Sequence, residues 1–265
     1  MGEGHSMSVG LPTEPARAAR ADEAGDAGKA RQAVAPAVSA EGICVEIDGR
    51  KILDKISLDI PGGQAVALMG ANGAGKSTLL RVLATLTAPS AGELRLFGQR
   101  IGPAAAAVRS RIGIISHQPM LYRDLSIREN LEFFGRLYDA AAPRARATEM
   151  LGLLGLTNRS DDAVKTLSRG MVQRAAIARA MMHDPALLLA DEPFEGLDAP
   201  SARSLETLLN RLRADGRTLI IANHDVVRSL GLTDRAVLLR RGRIVMDCPS
   251  AALTAQEVLE EIARP

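Results

Sequence analysis

The sequence predicts an α/β fold with an antiparallel β region at the start, a mostly parallel β core and an inserted helical subdomain. Three observations support this prediction. Residues 43–47 and 56–60 alternate apolar and polar side chains, which is typical of half-buried antiparallel strands. From residue 65 onward, short apolar runs alternate with stretches of helical periodicity, which indicates strands joined by helices. Residues 119–167 break that alternation with helical periodicity alone, so we expect them to form the insertion.

The individual elements follow from periodicity and from turn residues. Gly49 lies in the turn between the first two strands, and Pro-Gly-Gly at 61–63 forms the next turn. The expected strands span residues 43–47, 56–60, 65–69, 93–97, 112–115, 187–189, 218–222, 236–239 and 244–246. The expected helices span residues 78–86, two segments within 126–154, then 168–182, 202–212, 225–230 and 256–262.

Composition separates a tail from a folded domain. The chain has 265 residues, of which 46% are hydrophobic and 24% charged, as in globular proteins. Residues 1–41 are rich in Ala and hold no Ile, Phe or Tyr, so we expect a disordered tail there, with an amphipathic helix near residues 15–32 as the alternative. Residues 42–265 are expected to form the folded domain.

Charge and hydropathy exclude some classes of function. Lys plus Arg is 33 and Asp plus Glu is 31, a net charge of +2, and the chain has four Phe, two Tyr and no Trp. This balance argues against nucleic acid as a partner, since such domains are usually strongly basic and stack bases on aromatic rings. No apolar run reaches the ~18 residues that cross a bilayer, so we expect no membrane-spanning helix.

A glycine-rich loop is the strongest chemical signal. Residues 70–77 match the pattern GxxxxGK[ST], with a predicted strand before it and a predicted helix after it. In this arrangement the glycines let backbone N–H groups turn toward phosphate oxygens, the lysine reaches the terminal phosphates and the serine binds Mg²⁺. The candidate phosphate-contacting residues are Gly70, Ala71, Asn72, Gly73, Ala74, Gly75, Lys76, Ser77 and Thr78.

Two carboxylates follow the apolar run at 187–190. Asp191, at the tip of a strand beside a phosphate loop, suits Mg²⁺ binding. Glu192 is next, and it would point the other way if the strand pleat continues; it is a candidate general base for the attacking water.

Three further polar residues are ambiguous on their own. Ser168 precedes a predicted helix and suits its N-cap, where free N–H groups either bind an anion or simply begin a helix. Gln118 and His224 each follow an apolar strand, where a loop residue is either a ligand or plain surface.

Taken together, these motifs resemble those of ABC-type ATPases, a branch of the P-loop NTPases. The resemblance covers residues 42–246 and rests on the order of the phosphate loop, Gln118, Leu-Ser-x-Gly at 167–170, Asp191-Glu192, Gly196-Leu197-Asp198 and Asn223-His224-Asp225. It implies a homodimer that holds two ATP molecules, each between the phosphate loop of one chain and the Ser168–Gly170 stretch of the other.

The same resemblance assigns roles to single residues. It implies that Gln118 senses the γ-phosphate and Mg²⁺ and couples to a membrane partner. It also implies that His224 contacts the γ-phosphate and that Asp198 lies at the dimer interface. The signature departs from the common Leu-Ser-Gly-Gly-Gln at Arg169 and Met171, and Arg169 either adds charge near phosphate or points to solvent. The first hairpin, residues 46–50, has no aromatic residue on which adenine could stack.

Residues 114–125, 128–133 and 167–171 look like those of the ATP-binding subunit of the cytochrome c biogenesis heme exporter. We therefore expect an ATP- and Mg²⁺-dependent ATPase at the cytoplasmic face of the membrane, held there by integral membrane subunits. The alternatives are the ATPase of another, multidrug-type exporter, and a soluble ABC ATPase without transport, such as the iron–sulfur cluster assembly ATPase. Residues 120–122 are either core or a groove for a helix of the membrane partner.

Overall fold

In the part of the chain that the structure describes, ten strands form two sheets of opposite character. The computed structural model describes residues 36–102 and 105–264, together with Met1. Four strands belong to the first sheet: β1 (Val38–Ile47), β2 (Arg50–Ile60), β4 (Ala91–Leu96) and β5 (Gln99–Arg100). Six belong to the second: β3 (Ala65–Met69), β6 (Ile112–Ile115), β7 (Leu187–Asp191), β8 (Thr218–Ala222), β9 (Arg235–Arg240) and β10 (Arg243–Pro249).

The strand order explains the sequence pattern. The first sheet has the order β2-β1-β4-β5 and is antiparallel, so its strands alternate buried and exposed side chains. The second has the order β10-β9-β3-β8-β7-β6, with parallel pairing from β9 to β6 and an antiparallel β10 at the edge. β3 and β8 are buried along their whole length, as expected for central parallel strands covered on both faces.

Eight helices accompany the sheets in the described part of the chain. They are α1 (Lys76–Leu83), α2 (Ala106–Arg109), α3 (Ile127–Leu137), α4 (Pro143–Leu153), α5 (Arg169–Ala180), α6 (Ala199–Ala214), α7 (Val226–Leu232) and α8 (Ala255–Ala263). Within residues 36–102 and 105–264, none of them has the length and apolar character that a bilayer span requires.

The inserted segment, residues 119–167, holds α3 and α4 and ends just before α5. Ser126 and Glu129 form a capping box at the start of α3, where each side chain accepts the backbone N–H of the other residue at 3.1 and 2.8 Å. The apolar faces of α3 and α4 join the core around α5 through fully buried residues such as Leu131 and Leu151. The antiparallel start, the parallel core and the helical insertion predicted from the sequence are confirmed.

Several boundaries differ from the prediction, and two of them have a clear physical reason or location. β1 begins at Val38, inside the segment expected to be a disordered tail, because Val38 pairs with Ile60 on one side and Leu96 on the other and is fully buried. The composition around Val38 cannot predict this burial, because the residues that bury it lie in two strands distant in sequence, β2 and β4. The helix expected at 78–86 is α1, which begins at Lys76 and ends at Leu83. Residues 2–35, including the alternative helix at 15–32, lie outside the described residues.

Candidate nucleotide-binding site

The loop between β3 and α1 has a backbone that only glycine fits at two positions. Gly70 has φ 142°, and a Cβ there would lie 2.2 Å from the carbonyl oxygen of Leu239. Gly75 has φ 108°, and a Cβ there would lie 2.8 Å from Cδ2 of Leu53. Gly75 is also the N-cap of α1, so no side chain occupies the first N–H groups of the helix. Those N–H groups and the helix dipole are left to bind an anion.

Lys76 is buried beneath this loop. Its side chain is 8% exposed, and Nζ donates hydrogen bonds to the carbonyl oxygens of Gly70 (2.8 Å) and Ala71 (3.1 Å). Burial lowers the pKa of Lys76, and the charges of Glu192 and Asp191 act in the opposite direction. The two carboxylates at the end of β7 are therefore close enough to the lysine to share one electrostatic environment with it.

Glu192 and His224 form a hydrogen-bonded pair. β7 ends at Asp191, and the pleat does not continue: Glu192 has φ 49°, and its N–H donates to the carbonyl oxygen of Ala222 at 2.8 Å. This turn aims the Glu192 side chain at His224, whose Nδ1 lies 2.7 Å from Oε2 of Glu192 and whose N–H lies 3.3 Å from the same oxygen. Because a carboxylate only accepts hydrogen bonds, Nδ1 of His224 carries the proton in this pair.

The three candidate Mg²⁺ ligands line one small cleft. Ser77 lies at the start of α1, Asp191 at the end of β7, and Gln118 in the loop after β6. The Gln118 turn is held by the hydroxyl of Ser116, which donates to the Gln118 carbonyl oxygen at 2.8 Å. Hydroxyl, amide and carboxylate oxygens are the donors that Mg²⁺ prefers, so the residues present fit that ion.

Asn223 adds two unpaired polar atoms beside the Glu192–His224 pair. Its side chain is 3% exposed, and neither amide atom has a hydrogen-bond partner within the described residues. Buried amides are almost always hydrogen-bonded, so this position fits a polar ligand or water. Its apolar strand context predicts burial, but the sequence alone does not reveal that the amide is unpaired.

Ser168 and Gly170 lie apart from the phosphate loop. Ser168 caps α5, accepting the N–H of Met171 at 3.3 Å. Gly170 approaches the carbonyl oxygen of Gly196 so closely that a Cβ would lie 3.0 Å away. Neither residue lines the cleft of Ser77, so the structure brings the signature stretch to the loop at 195–198 and not to its own chain's phosphate loop.

The residues flanking the signature have structural partners of their own. Arg169 is 76% exposed and forms an ion pair with Glu195, which favours the solvent-facing alternative for this arginine. Asp198 caps α6 by accepting the N–H of Ser201 at 3.0 Å, and hydrogen bonds from Ser201 lower the pKa of Asp198.

A cluster of aromatic residues stands beside the Gln118 loop. In this aromatic cluster, Tyr122 meets Phe133 edge-on at 5.2 Å and stacks on Phe134 at 6.2 Å between ring centroids. Tyr122 is 53% exposed and Phe133 39%, so Tyr122 is not a core residue. Met120 is also exposed, whereas Leu121 packs against the core.

Comparison with known proteins identifies the family of this chain. Residues 53–195, which include the phosphate loop, Gln118, Ser168 and both carboxylates, match the sequence family described as ABC transporter. The chain belongs to the ABC transporter family. It is an ATP-binding, ATP-hydrolysing subunit.

Named relatives of this ABC subunit serve different transporters. It is 35% identical over 211 residues to the Nod factor export ATP-binding protein I of Paraburkholderia xenovorans (strain LB400), covering 79% of this chain and 69% of that protein. It is 36% identical to the phosphonates import ATP-binding protein PhnC of Anaeromyxobacter dehalogenans (strain 2CP-C), covering 94% of this chain but only 53% of the relative.

A solved structure has the same fold. A dimeric, post-hydrolysis ATP-binding cassette, MJ0796 bound to ADP and Pi, superposes with a TM-score of 0.74 at 27% identity, covering 80% of this chain and 98% of that one.

Proposed function

We propose that this ABC subunit works as a homodimer that hydrolyses two ATP molecules and thereby drives an export complex in the membrane. The observation that carries the proposal is the convergence of the phosphate loop, Asp191, Gln118 and the Glu192–His224 pair at the carboxyl ends of neighbouring strands. Ligands of open α/β sheets bind at that edge.

Each side chain has a distinct part in the proposed hydrolysis. The loop N–H groups and Lys76 bind the phosphates, and Lys76 must release its two carbonyl partners to reach them. Glu192 takes a proton from the attacking water, and His224 holds the Glu192 carboxylate in place and presents its ring to the γ-phosphate. Mg²⁺, held by Ser77, Gln118 and Asp191, would neutralise charge on the phosphates.

The dimer supplies what one chain lacks. Ser168 and Gly170 would complete the site of the other copy, because neither lines the cleft of Ser77 in its own chain and Gly170 lies against Gly196. The match to a dimeric cassette bound to ADP and Pi supports this arrangement. Dimer closure would then depend on both ATP molecules being present.

The aromatic cluster is the proposed contact with an integral membrane subunit. Exposed Tyr122 and Phe133 offer apolar anchors beside Gln118, which suits a helix lying in a groove. Such a contact would hold the subunit peripherally at the cytoplasmic face of the membrane.

Heme for cytochrome c maturation is the proposed cargo. The support is the sequence at 114–125 and the Leu-Ser-Arg-Gly-Met signature. The relatives carry names of both export and import systems, so the cargo needs its own test. A strain that lacks this chain should lose heme-bearing c-type cytochromes and keep its b-type cytochromes; an unchanged c-type content would exclude heme and leave another export cargo.

Tyr122→Asp tests the membrane contact. The variant should bind ATP and melt like the parent, yet lose co-purification with membrane subunits and the part of the ATPase rate that those subunits stimulate. Leu259→Asp is the matched control, because Leu259 is 54% exposed on α8, close to the 53% of Tyr122, and it adds the same charge elsewhere. Parental yields of membrane subunits with Tyr122→Asp would exclude this surface.

A further inference from the structure

Arg179 is a buried charge that the proposed hydrolysis does not use. It lies in the last turn of α5, is 5% exposed and forms no ion pair within the described residues. Its Nε has no hydrogen-bond partner there, and burial lowers the pKa of Arg179. Burying an arginine without a carboxylate partner costs free energy, so the presence of Arg179 at this buried position needs an explanation.

Two contacts of Arg179 reach different parts of the molecule. Its guanidinium donates to the carbonyl oxygen of Ile114 at 2.5 Å, across 65 residues of sequence. Its Cζ also lies 5.4 Å from the ring centroid of Phe134, within the range of a cation–π contact. The first contact holds β6, and the second holds the aromatic cluster.

The strand that Arg179 holds is the edge of the six-stranded sheet. β6 pairs with β7 alone, so its other side has no strand neighbour in the described chain. His183, just past the end of α5, lies with Nε2 3.0 Å from the carbonyl oxygen of Ile112. Residues two apart in a strand point their carbonyls to the same side, so the carbonyls of Ile112 and Ile114 share one edge of β6. Arg179 and His183 therefore cover that edge together.

The position of β6 connects this contact to the site. Ile114 is four residues before Gln118, whereas α5 begins at the Ser168 cap. The start of α5 therefore carries the stretch that is proposed to contact the partner's ATP. Near its end, the same helix carries Arg179, which is hydrogen-bonded to the strand that leads to Gln118. We propose that Arg179 is a positioning residue that couples the Ser168 end of α5 to Gln118 and to the aromatic cluster. This inference rests on the proposed function.

A simple packing role would give a different result from a coupling role. If Arg179 only packs the core, its substitution lowers stability and leaves unchanged the coupling between the effects of Gln118 and Ser168 substitutions on turnover. A coupling residue makes their effects on turnover depend on each other, because a movement at one end of α5 is passed through the Arg179–Ile114 bond.

A double-mutant cycle measures that dependence in the full-length protein. Steady-state ATP hydrolysis is measured for the parent, Gln118→Ala, Ser168→Ala and the double variant, and then for the same four in an Arg179→Met background. In the parent background, the two substitutions should be non-additive in kcat by at least about fivefold. With Arg179→Met, they should be additive within about twofold, with the KM for ATP little changed.

Ile177→Val is the control for stability, because Ile177 is fully buried in the same helix and its side chain has no polar group that could bond the β6 backbone. It should lower the melting temperature and keep the parental coupling factor. If Arg179→Met does not fold, Arg179→Lys and Phe134→Leu replace it.

Lysine keeps the positive charge but lacks the planar guanidinium group, so Arg179→Lys should lower the coupling factor to less than half the parental value. Phe134→Leu removes the ring while leaving the Ile114 bond, and should weaken membrane-partner stimulation.

The outcomes separate this inference from the proposed function. If Gln118→Ala and Ser168→Ala each leave turnover at the parental value, both are overturned. If each substitution lowers turnover, and the coupling factor stays parental in Arg179→Met, or in Arg179→Lys where that variant replaces it, only the role of Arg179 is overturned.

Discussion

Replacing Glu192 by glutamine tests the proposed general base with little change in shape. Oε2 of Glu192 accepts the Nδ1–H of His224 at 2.7 Å and lies 3.3 Å from the His224 N–H. The side-chain oxygen of glutamine can accept the same bonds, so the turn at residue 192 should persist. The amide cannot take a proton from water at neutral pH. The substitution therefore removes the proton-accepting function and leaves the hydrogen bonds.

The expected loss follows from what a positioned base contributes. General-base catalysis accelerates a reaction about 10²–10⁴-fold, or ~2.7–5.4 kcal/mol of activation free energy. We expect kcat to fall by that factor. The Kd for ATP should change by less than about threefold, or ~0.7 kcal/mol, because the phosphate loop is unaltered. The pKa of Lys76 should move further down, since the substitution removes one of the two charges that raise it.

Phosphate release and size-exclusion chromatography with ATP provide the measurements. The variant should accumulate as an ATP-bound dimer, since binding continues and hydrolysis does not. Glu195→Gln is the matched control: this carboxylate lies three residues further along, is half exposed and pairs with Arg169. Phosphate release at the parental rate in Glu192→Gln, or an equal loss in Glu195→Gln, would refute the assignment.

Three further predictions concern the loop, the base and a helix cap. Gly70→Ala should abolish ATP binding and lower the melting temperature, because its Cβ would lie 2.2 Å from the Leu239 carbonyl oxygen; Gly62→Ala, with open space around it, should do neither. ATP and GTP should bind within about tenfold of each other, or ~1.4 kcal/mol, since the β1–β2 turn holds no aromatic residue; a thousandfold preference in competition binding contradicts this. Asp198→Ala should lower the melting temperature by about 2–4 °C at neutral pH. Because the pKa of Asp198 is lowered in the folded state, this difference should be present above about pH 4 and vanish as the pH falls below it.

Local signals made the phosphate site predictable. The strand at 65–69, the glycine loop and the helix after it occupy one continuous stretch, so residue types and spacing alone were enough to predict the loop. The burial of β7 and β8 follows equally from their uninterrupted apolar residues. The sequence also predicted the Ser168 cap, since an N-cap depends on neighbours within three residues.

Long-range contacts explain what the sequence did not reveal. Glu192 and His224 are 32 residues apart and meet because β7 and β8 are neighbours and β7 ends in a left-handed turn. Ile114 lies 65 residues from Arg179, and an arginine in a helix of small apolar residues gives no local sign of the carbonyl that it binds. Val38 is in a strand because its partners bury it, not because of its own neighbours.

The place of β3 in the sheet has a consequence for synthesis of the chain. β3 lies between β8 and β9, and the N–H of Gly242 donates to the carbonyl oxygen of Ala74 in the phosphate loop at 3.0 Å. A nascent chain that has emerged only to residue 217 holds the nucleotide loop but neither strand that flanks it. Contacts over such distances form slowly, so we expect ATP to bind only once nearly the whole domain has left the ribosome. Nucleotide then stabilises complete chains and leaves C-terminally truncated products without that stabilisation and open to proteolysis.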